Sequence, residues 1–209
     1  NAIIASFCLC PSDYAIDRIG TGHIHETYKL KGANSFVLQR VNKNVFNKPE
    51  IIASNLRLAS DYLKRNFPDY QFLRSIRTVN ETEMVYDAQD FPWRLFHYID
   101  NTITIDQVDT VDEAFSAASE FALLTRNLDK IDVSDFKETI PQFQDLVMRY
   151  QQFEEALAQA TDERIRKAEQ SIALCKRFYY LVENYNALIR NGRLRLRVTH
   201  NDTKINNIL

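Results

Sequence analysis

The stretch VTHNDTKINNIL, residues 198–209, places a histidine, an aspartate, a lysine and three asparagines between apolar residues. Its polar spacing is His200-x-Asp202-x-Lys204-x-x-Asn207, and it follows RLRLRV, residues 193–198, in which basic and apolar residues alternate. Oxygen donors and a cation at this density are typical of loops that handle phosphate and metal ions. The stretch therefore predicts a half-buried strand that leads directly into a phosphoryl-transfer loop.

Each polar residue of this loop has a chemical reason to be there, because proteins assist phosphoryl transfer mainly by positioning groups and stabilising charge. Asp202 is able to accept the proton of an acceptor hydroxyl, Lys204 to neutralise the moving phosphoryl group, and Asn207 to hold Mg²⁺. His200 would brace the loop through hydrogen bonds. The spacing is that of the kinase catalytic loop with a lysine inside it. The alternative is an ordinary polar surface loop, because short motifs recur by chance.

A second motif, RIGTGHIHETYKL at residues 18–30, lies between two predicted strands near the start of the chain. The chain has only four glycines, and two of them fall here. A closely spaced glycine pair lets the backbone approach nucleotide phosphates, although a lone pair is also typical of a simple hairpin turn. The candidate nucleotide contacts in this loop are Gly20, Thr21, Gly22 and His23.

The rest of the pattern predicts a sheet-rich first half and a helical second half, an α+β fold. The first half has strands at 14–20, 26–30 and 35–41, a helix at 47–67 capped by Asn47, and a hairpin at 81–99 that turns at Ala88–Asp90. The second half has helices at 111–130, 142–160 and 162–190, the last ending at Gly192. We accordingly predict an N-terminal nucleotide-binding lobe (1–96), an interlobe connector (97–110) and a partial C-terminal helical lobe (111–209).

Bulk composition gives no reason to expect nucleic acid or a membrane as partner. The net charge is −2 over 209 residues, and no apolar run approaches the roughly 20 residues that a membrane-spanning helix needs. The three cysteines, Cys8, Cys10 and Cys175, do not form a disulfide framework and are predicted to be buried free thiols. This cysteine usage favours a reducing, cytoplasmic location.

Five segments together carry a resemblance to a known family. They are GTGHIHETY (20–28), FVLQRVNKNVF (36–46), PWRLFHYIDNTITID (92–106), KETIPQF (137–143) and THNDTKINNIL (199–209). On these residues the chain resembles the kinase-like aminoglycoside phosphotransferase and choline kinase superfamily, and within it the N-acetylhexosamine 1-kinase group. The resemblance implies a two-lobed protein-kinase-like fold that uses ATP and Mg²⁺. It also implies a small-molecule substrate, with an amino sugar phosphorylated on its anomeric hydroxyl as the favoured acceptor.

The resemblance implies roles for individual residues. Asp202 would be the catalytic base, Lys204 a γ-phosphate contact and Asn207 a Mg²⁺ ligand. Gly20 and Gly22 would belong to the loop over the phosphates. The segment from Phe96 to Ile99, which includes Tyr98, would be the interlobe segment whose backbone meets adenine, and Trp93 would either border that pocket or belong to the core.

Two features depart from the family pattern, and a third, the acidic partner on the helix, stays open. The third-strand lysine of kinases is replaced by Gln39 in register, with Arg40 next on the opposite face, and both stay open as phosphate contacts. The acidic partner on the following helix is either Glu50 or Asp61. The second metal carboxylate does not occur in this sequence, so we expect the chain to be a piece of a longer enzyme.

Four alternatives remain open at this point. The protein could be a choline, homoserine or aminoglycoside kinase, or an inactive kinase-like module that binds nucleotide. It could also be a helical interaction protein in which the loop motif is a coincidence, and the three arginines of RLRLRV could form a basic nucleic-acid stripe. The sequence leaves the oligomeric state undetermined.

Overall fold

The computed structural model describes residues 1–20 and 24–208. The chain divides into two compact units, one formed by residues 1–140 with 197–209 and one by residues 141–196. The first unit holds a sheet and three helices, and the second holds four helices, within the part that is described. The predicted α+β fold class is confirmed, and the lobe boundaries at 96 and 110 stay a prediction.

The sheet of the first unit is antiparallel throughout its pairings. Its strands run in the order β1-β2-β3-β6-β4, and β5 pairs with β6 beside this path. The strands are β1 (Ala15–Ile19), β2 (Glu26–Lys31), β3 (Phe36–Arg40), β4 (Ser75–Ile76), β5 (Val85–Tyr86) and β6 (Pro92–His97). The three predicted N-terminal strands and the hairpin are present, and the two-residue β4 was not predicted.

One face of this sheet forms a hydrophobic core. Leu30, Leu38 and Leu95 are buried on it, and each comes from a different strand of the ladder. Ile4 and Phe7, from and just after a short helix α1 (Ala2–Ala5), cover the same face. The sequence did not predict α1, because four residues are too few to show helical periodicity.

The helix α2 (Pro49–Asn66) is present as predicted, but it begins at Pro49, and its N-cap is Lys48 and not Asn47. The reason is that a residue before proline is kept out of the helical region, so Lys48 becomes the non-helical boundary. Buried Leu63 of α2 packs with Leu124 of α3 (Val111–Asn127) and with Val198. This cluster ties the start of the loop at 198–208 to two helices of the same unit.

The second unit contains α4 (Leu146–Ala158), α5 (Asp162–Lys167), α6 (Glu169–Arg177) and α7 (Tyr179–Arg190). The prediction of one helix over 162–190 is wrong, because the backbone at Ala168 and Phe178 has ψ of 9° and 13° and interrupts the α-helix. Neither a glycine nor a proline marks these breaks. Gly192 has a φ of +63° after α7, so the predicted C-terminal glycine is confirmed.

Two further sequence predictions are wrong. Residues 193–198 form no strand, because no other strand of the described chain pairs with them and alternation alone makes no ladder. The three cysteines are free as predicted, yet all three are exposed rather than buried.

Within residues 1–20 and 24–208 no helix is long and apolar enough to cross a membrane.

His25, which precedes β2, is held by packing and by one hydrogen bond. Its ring stacks on Phe46 with centroids 5.4 Å apart, and its Nδ1 accepts a hydrogen bond of 3.2 Å from the Asn42 amide. Burial, and then the positive charge of Arg94, lowers the pKa of His25 to about 4. The imidazole is therefore neutral in the native state at neutral pH, as its acceptor role requires.

Truncating the α2 core residue Leu63→Ala should lower the free energy of unfolding by about 2–5 kcal/mol. Leu63 has no exposed surface, so the substitution leaves a cavity in the cluster that holds Val198. Urea denaturation of both proteins measures the difference. The matched control is Leu196→Ala, whose side chain is 81% exposed and which should change stability by no more than about 0.5 kcal/mol.

The lowered pKa of His25 predicts a specific loss of stability in acid. Between pH 6.5 and about 4 the unfolded chain binds a proton that the native state excludes, so the free energy of unfolding falls as pH falls through this window. Allowing for the partial exposure of the ring, we expect a loss on the order of 2 kcal/mol that His25→Gln does not show. Urea denaturation at pH 7, 5.5 and 4.5 checks this, with His97→Gln as an exposed histidine control. Parallel curves for wild type and His25→Gln would contradict the assignment.

Candidate active site

The structure brings together three of the predicted catalytic-loop residues. The Nδ2 of Asn207 donates to the Asp202 main-chain carbonyl at 2.8 Å and to the Asp202 Oδ2 at 3.1 Å. The Nζ of Lys204 lies 3.5 Å from the same Oδ2. One oxygen of the Asp202 carboxylate thus lies close to both an amide and an ammonium group, and all three side chains are exposed.

The backbone of the loop is shaped by its asparagines. Asn201 has a φ of +60°, a left-handed conformation that asparagine tolerates better than most residues. The segment Ile205–Asn207 then forms a single 3₁₀ turn. The Nδ2 of Asn206 donates to the Asp106 Oδ1 at 3.2 Å, which fixes the loop to the chain that precedes α3.

His200 is placed beside α3 by ring packing. Its imidazole lies 5.5 Å from the Phe121 ring, centroid to centroid, at an interplanar angle of 54°. The sequence predicted that this histidine braces the loop by hydrogen bonds, and the contact observed is an aromatic one. Either contact fixes where residue 200 sits, two residues before Asp202.

The donor set of the loop suits a hard cation but does not complete a site for one. Asn207 donates through its Nδ2 to Asp202, and these hydrogen bonds leave its carbonyl Oδ1 as an acceptor. An amide oxygen beside a carboxylate is the ligand type that Mg²⁺ prefers, and Mg²⁺ usually keeps waters or phosphate oxygens as its other ligands. No group of three or more His, Cys, Asp or Glu able to hold a metal occurs in the part of the chain that the structure describes.

Of the predicted phosphate loop, only Gly20 lies within the described residues. It follows β1 directly and has a φ of +81°, a conformation that favours glycine. Apart from its chain neighbours, no residue that the structure describes has an atom within 4 Å of the position that a Cβ would take there. Thr21, Gly22 and His23, the other predicted contacts in this loop, lie outside the described residues.

The two third-strand candidates lie on opposite faces of the sheet. Arg40 contacts Glu26 at 2.9 Å and Asp87 at 3.3 Å, and its guanidinium lies 3.8 Å from the centroid of the Phe91 ring. Gln39 is on the other face, as the alternation of a regular strand predicts. The charge of Arg40 is therefore balanced by two carboxylates, and its guanidinium packs on an aromatic ring.

Asp87 is well suited to hold Arg40. Burial by itself raises the pKa of Asp87, but hydrogen bonds from the Trp93 indole and from the main-chain amides of Phe91 and Gln89 outweigh it, so the pKa is lower than usual. The carboxylate thus stays ionised at neutral pH. Trp93 also packs against the sheet core, as expected of a core aromatic.

Gln39 belongs to a polar row across three strands. Its Oε1 accepts hydrogen bonds from Nε and Nη2 of Arg94, at 3.0 and 2.7 Å, and its Nε2 donates to the Thr27 Oγ1 at 3.1 Å. The three residues are direct cross-strand partners. Sequence reasoning missed Arg94, and the signal that could have found it was a single arginine inside the apolar strand PWRLFH.

The predicted adenine segment leaves the sheet beside this row. Phe96 is buried and pairs with Val37 in the ladder. The Tyr98 amide donates to the Ser35 carbonyl at 3.0 Å, so the pairing continues one step beyond β6. The Nζ of Lys29 lies 3.2 Å from the centroid of the Tyr98 ring.

Neither candidate carboxylate on α2 contacts Gln39 or Arg94 in the described chain. Asp61 is paired with Arg74 at 2.7 Å, in the segment just before β4. Glu50 lies near Tyr86, whose pKa is raised by burial and then by the Glu50 charge. The lysine–glutamate pair typical of kinases therefore has no counterpart among these contacts.

The fold of the chain is similar to that of a solved phosphotransferase. No protein-family model matches the chain. A crystal structure of spectinomycin phosphotransferase in complex with ADP and spectinomycin superimposes with a TM-score of 0.52 at 12% identity, over 94% of this chain and 59% of the other. The AMP-bound complex of spectinomycin phosphotransferase gives 0.51 at 13% identity, over 93% and 60%. Amicoumacin kinase in complex with AMP-PNP and Ca²⁺ gives 0.49 at 10% identity, over 73% and 50%.

This chain therefore spans about three fifths of the length of the spectinomycin phosphotransferase that it resembles. At such low identity the superposition describes architecture rather than chemistry. The antiparallel sheet followed by helices, in the order seen here, is shared along nearly all of this chain. The chain has the α+β fold of the two-lobed, kinase-like phosphotransferases.

Proposed function

We propose that the protein is a Mg²⁺- and ATP-dependent phosphotransferase that acts on the hydroxyl of a small molecule. The observation that carries the proposal is the convergence of Lys204 and Asn207 on the Asp202 carboxylate, in a loop with kinase spacing. The shared fold with a phosphotransferase solved in complex with ADP supports it. That residues 20–22 and 202–207 meet across one cleft is part of the proposal.

The proposed reaction transfers the γ-phosphoryl group of ATP in line. The bond between the γ-phosphorus and the bridging oxygen of ADP breaks, a bond to the acceptor oxygen forms, and the hydroxyl proton passes to Asp202. Lys204 stabilises negative charge on the transferring group, and Asn207 would hold Mg²⁺ through its carbonyl oxygen. When bound, Mg²⁺ neutralises charge on the phosphates.

We further propose an N-acetylhexosamine as the acceptor, phosphorylated on its anomeric hydroxyl to give the sugar 1-phosphate. Support comes from the sequence resemblance in the five segments 20–28, 36–46, 92–106, 137–143 and 199–209. The competing acceptors are aminoglycosides, choline and homoserine. A polycationic aminoglycoside needs a carboxylate-rich wall, and a neutral amino sugar does not. A panel of acceptors decides between them.

We first expect the protein to bind nucleotide. Binding is expected of an active phosphotransferase and of an inactive kinase-like module, but not of a helical interaction protein. With Mg²⁺ present, ADP at 100 times its dissociation constant should add about 2.7 kcal/mol to the free energy of unfolding. Thermal unfolding of the 209-residue chain with ADP or adenosine measures this, and inorganic sulfate at equal ionic strength is the control. An unchanged melting temperature at millimolar ADP would contradict the proposal.

Asp202→Asn should slow transfer strongly while it leaves nucleotide binding intact. Loss of a general base lowers kcat by about 10²- to 10⁴-fold, and Asp202 makes its contacts within the loop. The assay follows ADP release and sugar phosphate formation by the complete gene product, with N-acetylhexosamines, spectinomycin, choline and homoserine as acceptors. Asp69→Asn, an exposed aspartate after α2, is the matched control and should keep full activity. Full turnover by Asp202→Asn would refute the assigned mechanism.

A further inference from the structure

Arg94 lies beside the position at which kinases carry their phosphate-binding lysine. In the protein-kinase pattern that lysine is on the third strand, where this chain has Gln39, a neutral amide. The direct cross-strand neighbour of Gln39 is Arg94 on β6. Directly opposed residues of an antiparallel pair share one face of the sheet, so the positive charge that is missing from the Gln39 face of β3 is present on the same face one strand away.

The row that holds Arg94 ends at the glycine loop. Thr27, Gln39 and Arg94 are consecutive cross-strand partners, and Thr27 is paired in turn with Ile19 of β1. Gly20 follows Ile19 directly. The guanidinium therefore stands on the sheet face in register with the strand ends that carry the phosphate loop.

The guanidinium of Arg94 is held firmly but keeps donors available. Gln39 accepts from its Nε and Nη2 at 3.0 and 2.7 Å, which fixes the plane of the group. An arginine has five N–H donors, so most are left for another acceptor. The guanidinium carbon lies 5.1 Å from the centroid of the Phe96 ring, which supports it from the same strand.

The charge of Arg94 is not balanced within the described chain. No carboxylate of residues 1–20 and 24–208 lies within ion-pair distance of it, whereas Arg40, one residue along β3 from Gln39, has two. Burial lowers the pKa of Arg94 to about 10, so the group is still a cation at neutral pH. A part-buried cation with only a neutral partner favours an anionic ligand, since such a ligand supplies the missing charge.

We propose that Arg94 is the cation that binds the polyphosphate of the nucleotide, and that Gln39 is the residue that positions it. This inference rests on the proposed function, because it assigns a ligand contact within the same site. In this proposal the positive charge that kinases usually carry on β3 is carried by Arg94 on β6. The β3 side chain, Gln39, accepts hydrogen bonds from the guanidinium and orients it. The chemistry recognised is a nucleoside di- or triphosphate rather than the nucleoside itself.

The experiment compares the affinities of ADP and adenosine for the 209-residue chain by isothermal titration calorimetry. Arg94→Gln should weaken ADP binding by about 10- to 100-fold, the size of a lost charge-assisted contact, and change adenosine binding by less than about threefold. Arg94→Lys keeps the charge and should fall between the two. The affinity of wild type for ADP should also drop with salt more steeply than that of Arg94→Gln.

Two further variants keep the test decisive if Arg94→Gln folds poorly. Gln39→Glu places a carboxylate against Arg94, so it should preserve folding and still weaken ADP binding selectively. Arg18→Gln removes the same charge from the opposite face of β1 and should bind ADP as wild type does.

The outcomes separate the two proposals. Unchanged ADP affinity in folded Arg94→Gln, or an equal loss of ADP and adenosine, overturns the role of Arg94 and leaves the phosphotransferase proposal standing. A selective loss of ADP affinity in Arg40→Gln but not in Arg94→Gln assigns the contact to the other third-strand candidate and overturns this one. A wild-type chain that binds neither ADP nor adenosine overturns both proposals.

Discussion

The antiparallel pairing of β3 with β6 determines which residues of the two strands face the core and which lie on the opposite face of the sheet. Leu38 and Leu95 face each other in the ladder and are almost completely buried, so this face is committed to the core. One step along, Gln39 and Arg94 face each other on the opposite side. A register slip of a single residue would bury the polar pair and expose the leucines, so the core fixes the polar row in place.

A second constraint joins the loop at 198–208 to the helices of the unit that holds the sheet. Val198 packs into the cluster of Leu63 from α2 and Leu124 from α3, and the polar loop begins immediately afterwards. The loop itself is exposed and is held by its own hydrogen bonds together with the contact from Asn206 to Asp106. Val198 is packed against the core, and the polar loop after it is held by hydrogen bonds of its own. The charged side chains of the loop are therefore positioned while they stay exposed, which avoids the free-energy cost of desolvating a buried charge.

The sequence predicted most of what depends on local pattern. The three N-terminal strands, the 85–97 hairpin and the amphipathic α2 all follow from periodicity and turn residues. The run at 193–198 was misread, because alternation marks a strand only where another strand is available to pair with it. The breaks at Ala168 and Phe178 carry no glycine or proline, so local rules could not find them. Arg94 was missed for a different reason: its importance is a property of register and pairing, which a strand pattern does not contain.

The two arginines near Gln39 differ in the chemistry of their partners. Arg40 meets two carboxylates and an aromatic ring, so its charge is satisfied by the fold itself and has little left to offer a ligand. Arg94 meets an amide oxygen, which orients the guanidinium without cancelling its field. A carboxylate at residue 39 would hold Arg94 more tightly and would compete with a phosphate for the same donors. A neutral acceptor at residue 39 therefore fits the anion site that we propose at Arg94, because it orients the guanidinium and leaves its charge for a ligand.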